Sequence, residues 1–482
     1  MEPQALPGAA NSSSHNDESS SKKEDPPWVM LDCFLSRPGV VVDDGSIGCA
    51  ALAYGRTSTG DEIGVGFRAA ALPTTSRLVL HLRSSSNSSP TTLPYDGSPK
   101  LHQAAAVAAH RNAILLRFVF TFALHDPVAE EFFVYLASAP TRLVKLPACS
   151  HRSINPEAGK NIGIVCRQNA DVGGGGELEF AVAHLTLNQT ETLLTPCPVK
   201  AKLCCMRSNT CSWRTTKCVP IRHAEGHGDA LVWWETDAVV PFGDSTIGWV
   251  DYLRGILFCD DVFSDDPELR YVPLPVHPYD GDCDPVMDGR VHQFAYRRLC
   301  VTSDGADLKF VDVAPLNAWF SGAPDYSRRP AAISSWTLSG DRRTWVEDGR
   351  IDVVDFLALA KRHDLPCVLP EFPIVDVKDS NIIYCVVRDR PRSAREEYFS
   401  RESASARGRQ VVVVAVDMSS KTLLDTRCDT AYFDHECYEP LLPFFRRAPI
   451  DMLTMNELGV CMRKMDIKGN FEQNPLNIFV MP

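Results

Sequence analysis

Ile247-Gly-Trp249-Val-Asp251-Tyr-Leu-Arg254-Gly255-Ile-Leu-Phe-Cys259-Asp260, followed by Leu269-Arg-Tyr-Val-Pro-Leu-Pro275, is the stretch from which the fold is read. An apolar run turns at Arg-Gly, resumes as Ile-Leu-Phe-Cys and passes an acidic turn at Asp265, Asp266 and Pro267. It then returns as Leu-Arg-Tyr-Val before two prolines stop it. Short apolar runs bounded by turn residues predict consecutive antiparallel strands.

The same pattern recurs on both sides of this stretch. One unit runs Asn112-Ala-Ile-Leu-Leu-Arg-Phe, Glu131-Phe-Phe-Val-Tyr-Leu and Thr141-Arg-Leu-Val-Lys-Leu-Pro147. A second runs Asn161-Ile-Gly-Ile-Val-Cys, Glu177-Leu-Glu-Phe-Ala-Val-Ala-His184 and Glu191-Thr-Leu-Leu-Thr-Pro196. Their starts lie 49 residues apart, near the period of about 50 that marks kelch-type propeller blades. The Trp249 unit is a third. A fourth combines Leu299-Cys-Val, Leu308–Val313, Ile333-Ser-Ser-Trp336 and Trp345–Ile351; a fifth combines Asn381–Val387, Gln410–Asp417 and Lys421–Leu424. Segment 28–82 reads as a further blade or a separate small sheet. The expected fold is mainly β, with β-propeller-like repeated antiparallel sheets and few short helices; the alternative is a β-sandwich pair. One helix is expected over 348–361, with Val353, Phe356, Leu357 and Ala360 on one face, Lys361, Arg362 and His363 suiting its C-terminal dipole, and Pro366 ending it.

The Trp249 stretch resembles the hallmark segment of a plant family, found chiefly in grasses, called domain of unknown function 1618. The resemblance runs from Trp28-Val-Met-Leu-Asp32 to the strands near Leu424. It implies no chemistry, because no activity is established for that family. The last two units also resemble the later blades of plant F-box-associated and kelch-type domains, in which a strand ending in Asp precedes a Trp strand and an Asp-rich turn. An F-box helical module does not fit ahead of Trp28, so this second resemblance implies at most an adaptor without its own F-box.

Composition bounds the classes that remain. At 482 residues, with 44% hydrophobic and 23% charged residues, the chain has ample material for a core. Residues 1–27, rich in Ser, Lys and Pro, are expected to be a disordered tail. Residues 28–430 form the propeller-like body, and 431–482 form a proline-broken extension. A basic start with an apolar core, the mark of a secretory signal, is missing from this N-terminus. The apolar span Ala113–Leu124 is broken by Arg117 and falls short of the roughly 20 residues a membrane helix requires. Seventeen scattered cysteines are an odd number in a long chain, which reads as reduced thiols. The expectation is a soluble intracellular protein of cytoplasm or nucleus, with the sequons at Asn11, Asn87 and Asn188 unmodified. A net charge of −12 disfavours nucleic acid, since binding there relies on lysine and arginine neutralising phosphates.

Motifs that would carry chemistry are sparse. The densest metal candidates are Cys204, Cys205, Cys211, Cys218, His223 and His227, with Cys197 nearby. Zinc requires converging thiolates and imidazoles, but the gaps along Cys205, Cys211, Cys218, His223 and His227 are five, six, four and three residues rather than close pairs. A cysteine-rich loop is the competing reading. Asp280, Asp282 and Asp284 open like a calcium loop, yet Pro285 and Val291 stand where that loop needs Gly and Glu. Gly173–Gly176 lacks a following Gly-Lys-Ser/Thr. Gly-x-Ser-x-Gly and His-Glu-x-x-His are absent from the chain. Trp233, Trp234, Trp249, Trp336 and Trp345 read as core, and the arginines from Arg388 to Arg409 as a solvated or phosphorylatable loop. No catalytic residue and no cofactor is assigned. The functional expectation is a non-enzymatic scaffold or adaptor for a protein partner, against two alternatives: an enzyme whose active site is assembled from several blades, and a zinc-dependent interaction module at 197–227.

Overall fold

Strands buried on both faces read as continuous apolar runs, because each face must be covered by a neighbouring layer. Several inner strands of the computed structural model meet that condition; the structure describes residues 28–36, 50–68, 70, 75–83, 100–121, 127–138, 140–149, 161–168, 178–188, 199–224, 228–276, 296–302, 307–313, 332–388, 411–428 and 444–446. Sheet one contains β1 (Trp28–Ser36), β2 (Ala50–Arg56), β3 (Glu62–Arg68) and β4 (Thr75–Arg83). Sheet two contains β5 (Lys100–His110), β6 (Ala113–Thr121), β7 (Pro127–Leu136) and β8 (Arg142–Lys145), and a single β1–β5 pair makes it continuous with sheet one. Sheet three contains β9 (Ile162–Gln168), β10 (Leu178–Asn188), β11 (Lys200–Arg207) and β12 (Ser212–Val219).

Sheet four, which holds the decisive stretch, has the order β13 (Ile221–Arg222), β17 (Leu269–Pro273), β16 (Gly255–Cys259), β15 (Thr246–Asp251) and β14 (Ala238–Phe242). Sheet five is built from β18 (Arg297–Thr302), β19 (Asp307–Val313), β20 (Ala332–Leu338) and β21 (Trp345–Asp352). Sheet six is built from β22 (Glu371–Val375), β23 (Ile382–Arg388), β24 (Val411–Asp417) and β25 (Thr422–Cys428). β26 (Phe444–Arg446) pairs with β1.

One edge strand of each sheet meets that of the next: β5 packs on β9, β9 on β14, β14 on β18 and β18 on β22. The chain is therefore mainly β and propeller-like, with successive, mostly antiparallel sheets rather than the two facing sheets of a sandwich. Alternation along the strands explains how each sheet serves two neighbours. On β6, which is buried along its whole length, Ile114, Leu116, Phe118 and Phe120 join one apolar cluster with Ile63, Val65, Leu78 and Leu80 of sheet one. Ala113 and Leu115 join another with Ile164, Phe180 and Val182 of sheet three. In sheet four, Trp249 and Leu257 pack with sheet three, whereas Val250, Ile256 and Phe258 belong with Leu299 and Phe310 of sheet five. Each large apolar side chain buried in this way contributes about 1.5–3 kcal/mol before entropy is counted. Arg117, the charge within the β6 run, is paired with Glu130.

The structure alters three expectations. The 49-residue spacing aligned non-equivalent strands: Ala113 begins the second strand of sheet two, and Ile162 begins the edge strand of sheet three. Equivalent strands begin irregularly, at Lys100, Ile162, Ala238, Arg297 and Glu371. The edge strands β5, β14 and β22 were missed in the sequence because β5 is alanine-rich and the other two contain Pro241 and Pro373. A strand that pairs on only one side accommodates proline. The helix α1 spans Val353–Arg362. Residues 348–352, placed in it from the sequence, are the end of β21, and the buried face uses Leu359 where Leu357 was expected. Within 431–482, taken as an extension, Phe444–Arg446 form a strand of sheet one.

Indole groups fasten neighbouring sheets. Trp213 Nε1 on β12 donates to the carbonyl of Pro147 beyond β8 at 2.7 Å. Trp345 Nε1 on β21 donates to the carbonyl of Pro273 at the end of β17 at 2.8 Å. Trp249 Nε1 on β15 donates to the carbonyl of Asn161 ahead of β9 at 2.9 Å. Each bond runs from one sheet to the preceding one. Trp345→Phe keeps most of the packing and removes the donor; urea unfolding should show a loss of about 1–3 kcal/mol with an unchanged denaturant slope.

Candidate functional site

The densest polar arrangement lies under the turn between β15 and β16. Asp251 is fully buried and Arg254 is 1% exposed. Burying either charge alone would cost several kcal/mol, so each is engaged. Arg254 Nη1 donates to Asp251 Oδ2 at 3.0 Å. The backbone N–H groups of Leu253 and Glu235 donate to the same carboxylate at 2.9 and 3.1 Å. Asp237 Oδ2 accepts the Tyr252 N–H at 2.8 Å, and Tyr271 donates its hydroxyl to the Arg254 carbonyl at 3.0 Å. Burial, reinforced by Asp251, holds the Tyr271 phenol well above its ordinary range. Gly255 follows because a Cβ there would stand 2.5 Å from the Tyr271 ring and 2.6 Å from the Val272 carbonyl oxygen. From sheet five, Arg297 donates to the Tyr252 carbonyl at 2.6 Å and to Asp312 at 2.9 Å.

A second buried set joins sheets five and six. Lys309, 1% exposed, donates to the Ser380 carbonyl at 2.5 Å and lies 3.3 Å from Asp348. Asp348 also accepts Ser335 and Thr337 at 2.7 and 2.5 Å. Ser335 is wholly buried, so no substrate reaches its hydroxyl. Gly349 makes room for that hydroxyl, which would stand 2.6 Å from a Cβ there.

The turns of sheet four also receive arginines from three other sheets. Arg111 pairs with Asp244, and Arg207 and Arg214 with Asp265. Asp260 pairs with Arg270 of its own sheet and with Arg342. Arg270 also donates to the Arg342 carbonyl at 2.9 Å. These carboxylates, in the acidic turns visible in the sequence, hold sheets together. Exposed pairs of this kind contribute at most about 1 kcal/mol each.

His110 ties β5 to β9 by accepting the Cys166 N–H on Nδ1 at 2.9 Å. Burial, reinforced by Arg111, lowers its pKa to about 3. The thiols behave as small apolar groups. Burial pushes Cys205 up to about 11 and Cys259 up to about 12, and it raises Cys300 and Cys385 as well. Thiols held neutral in this way are poor nucleophiles.

The sequence-derived metal candidates occupy separate positions. Cys204 and Cys205 are neighbours on β11, Cys204 beside Thr215 at 3.4 Å and Cys205 beside the Val262 carbonyl at 3.6 Å. Cys211 and Cys218 are exposed at the two ends of the β12 region, both with positive φ. His223 rests on Gly228. His227 and Cys197 lie outside the described residues, as do Asp280, Asp282 and Asp284, Gly173–Gly176 and the arginine-rich segment beyond Arg388. Among the described residues, no group of three or more His, Cys, Asp or Glu side chains is arranged to hold a metal ion. Sequence reasoning missed Asp251 with Arg254, Arg297 with Asp312, and His110. The one available signal was a charged pair flanking two large apolar residues inside an otherwise apolar run.

Taken together, these observations define a mainly β, propeller-like protein whose buried polar groups bind one sheet to the next. Residues 249–384 match the family model described as "Protein of unknown function (DUF1618)". The match begins at Trp249 in β15 and ends at Tyr384 in β23. No curated protein matches the chain. Among solved structures, a GH74 enzyme of Niastella koreensis aligns at 8% identity and a TM-score of 0.23, covering 76% of this chain and 46% of that one. The chain thus spans less than half of that protein. An endo-arabinase of Bacteroides thetaiotaomicron aligns at 9% identity and 0.23, covering 58% and 89%. A Trypanosoma rangeli sialidase mutant aligns at 8% and 0.27, covering 93% and 62%. Likeness at these scores carries no argument for this chain.

Asp251→Ala removes the buried carboxylate to which Arg254 Nη1 donates, and urea unfolding should record a loss of about 3–5 kcal/mol. The depressed pKa of His110 gives a second test. Its neutral form is built into the fold, so the unfolded chain binds the extra proton. Its stabilisation is complete above the unfolded pKa of 6.5 and is lost as pH falls towards about 3. Between pH 7 and pH 5 the native protein should lose about 2 kcal/mol more than His110→Gln. An equal loss in both proteins would remove His110 from the account.

Proposed function

We propose that the protein is a non-enzymatic binding scaffold that engages another protein. The observation that carries this reading is the way residues 228–237 hold Val232 and Trp233 outward. Leu231 is buried, and Trp234 packs edge-on against Tyr271 with ring centroids 6.2 Å apart. Trp234 Nε1 donates to Thr236 at 3.1 Å, and the Glu235 N–H is held by Asp251. Between these anchors Val232 is 36% and Trp233 42% exposed. A large indole fixed on a rigid segment loses little entropy on binding, which is why tryptophan concentrates at interface hot spots.

Charge favours a protein partner over nucleic acid, since the chain carries a net −12. Among the described residues, no helix is long and apolar enough to cross a membrane, and the described cysteines are free thiols. A reducing compartment, cytoplasm or nucleus, goes with the scaffold reading.

Affinity purification from native tissue tests it. The intact protein should retain a stoichiometric partner that Trp233→Ala loses, while the variant's unfolding free energy stays within about 0.5 kcal/mol of the parent. Retention of the same partner by Trp233→Ala, or recovery of none by the intact protein, would overturn the reading.

A further inference from the structure

Sheet three ends at β12, and among the described residues no strand pairs with the outer edge of β12. Near one end of that edge the ladder with β11 slips. Ala201 faces Val219 but Lys202 faces Lys217, so Cys218 is the extra residue of a bulge, and its φ is +57°. A positive φ is uncommon for any residue but glycine, and bulges re-aim neighbouring side chains. This one sets Lys217 directly opposite Lys202, where an unbroken register would set Cys218. Lys200, two positions back along β11, lies on the same face as Lys202. Like charges opposed across a strand pair destabilise a sheet. Lys145 pairs with Glu131 and Lys309 with Asp348, whereas Lys200, Lys202 and Lys217 have no ion pair among the described residues.

Lysine on an edge strand discourages unwanted strand pairing, which accounts for Lys217. It does not account for Lys200 and Lys202, which stand one strand inside the edge. A carboxylate brought from outside turns the repulsion into attraction. We propose that the outer edge of sheet three binds an extended acidic segment of a protein partner, laid along β12 with its carboxylates against Lys217, Lys202 and Lys200. Alternate side chains of an extended chain stand about 6.5 Å apart on one face, the same spacing that separates Lys200 from Lys202. A nucleic acid is disfavoured as occupant, because three lysines neutralise few phosphates and the chain as a whole carries −12. This surface uses residues other than Trp233 and adds a contact of stated charge to the scaffold reading.

Fluorescence anisotropy of a labelled synthetic peptide alternating Glu and Thr, titrated with the full-length chain at low salt, tests this. The parent should bind that peptide and leave its Gln-for-Glu counterpart free. Lys202→Gln combined with Lys217→Gln should weaken binding at least about fivefold, since two exposed charge contacts are lost. Its urea midpoint should stay level or rise, because the repulsion is gone. Lys202→Arg with Lys217→Arg keeps both charges and should bind as the parent does. Failure of the parent to bind, equal binding of the two peptides, or full binding by the Gln variant overturns the proposal. A lowered midpoint in the Gln variant makes the lysines structural and overturns it too. Tighter binding of single-stranded DNA or of anionic vesicles than of the peptide replaces the protein partner with one of those. The titration does not involve Trp233, so its failure leaves the purification with Trp233→Ala to be judged by itself.

Discussion

Asp251 is completely removed from water, and a carboxylate in that position has to be neutralised and hydrogen-bonded from several directions at once. Arg254 supplies the charge, and the N–H groups of Leu253 and Glu235 supply donors. Meeting these demands fixes the path of the chain twice. The β15–β16 turn is bent into one shape, with glycine at 255 because the Tyr271 ring and the Val272 carbonyl leave no room for a Cβ. The segment ahead of β14 is drawn over the same carboxylate, which places Trp234 against Tyr271 and leaves Trp233 facing outward.

The rest of the architecture is fastened outward from sheet four. Its Tyr252 carbonyl receives Arg297 from sheet five, its Trp249 reaches back to sheet three, and its Pro273 carbonyl accepts Trp345. The acidic turns at Asp244, Asp260 and Asp265 collect arginines at the surface. The buried bonds dominate energetically, since water and salt screen the exposed pairs. Small sheets with two apolar faces cannot stand alone, and directional bonds at their borders fix which sheet lies beside which. The buried ionisable groups Asp251, Arg254, Arg297 and Lys309 are committed to this ordering.

Much of the body was legible in the sequence because strands such as β6, β15, β16 and β24 are apolar along most of their length. The edge strands were not. Pro241 and Pro373 interrupt β14 and β22 in a way that signals a loop, and the alanines of β5 carry little strand propensity. The ends of β21 and α1 were merged because Asp352-Val-Val-Asp355 fits either period. The polar set around Asp251 was hidden for a different reason: Glu235, Asp237, Arg297 and Asp312 meet only after sheets four and five have packed, and no local spacing encodes that meeting. Trp233 read as core like its neighbours, since sequence alone cannot separate the anchored Trp234 from the outward indole beside it.

Native-state hydrogen exchange of individual amides tests most directly the claim that the Asp251 arrangement holds the body together. The Leu253, Tyr252 and Glu235 N–H groups, all bonded to the Asp251 or Asp237 carboxylates, should exchange only through global unfolding, with protection equal to that of the strand amides of β15 and β16. Exchange of these three at the rate of the exposed hairpin at 208–211 would show that the turn opens freely and that the body is held by apolar packing alone.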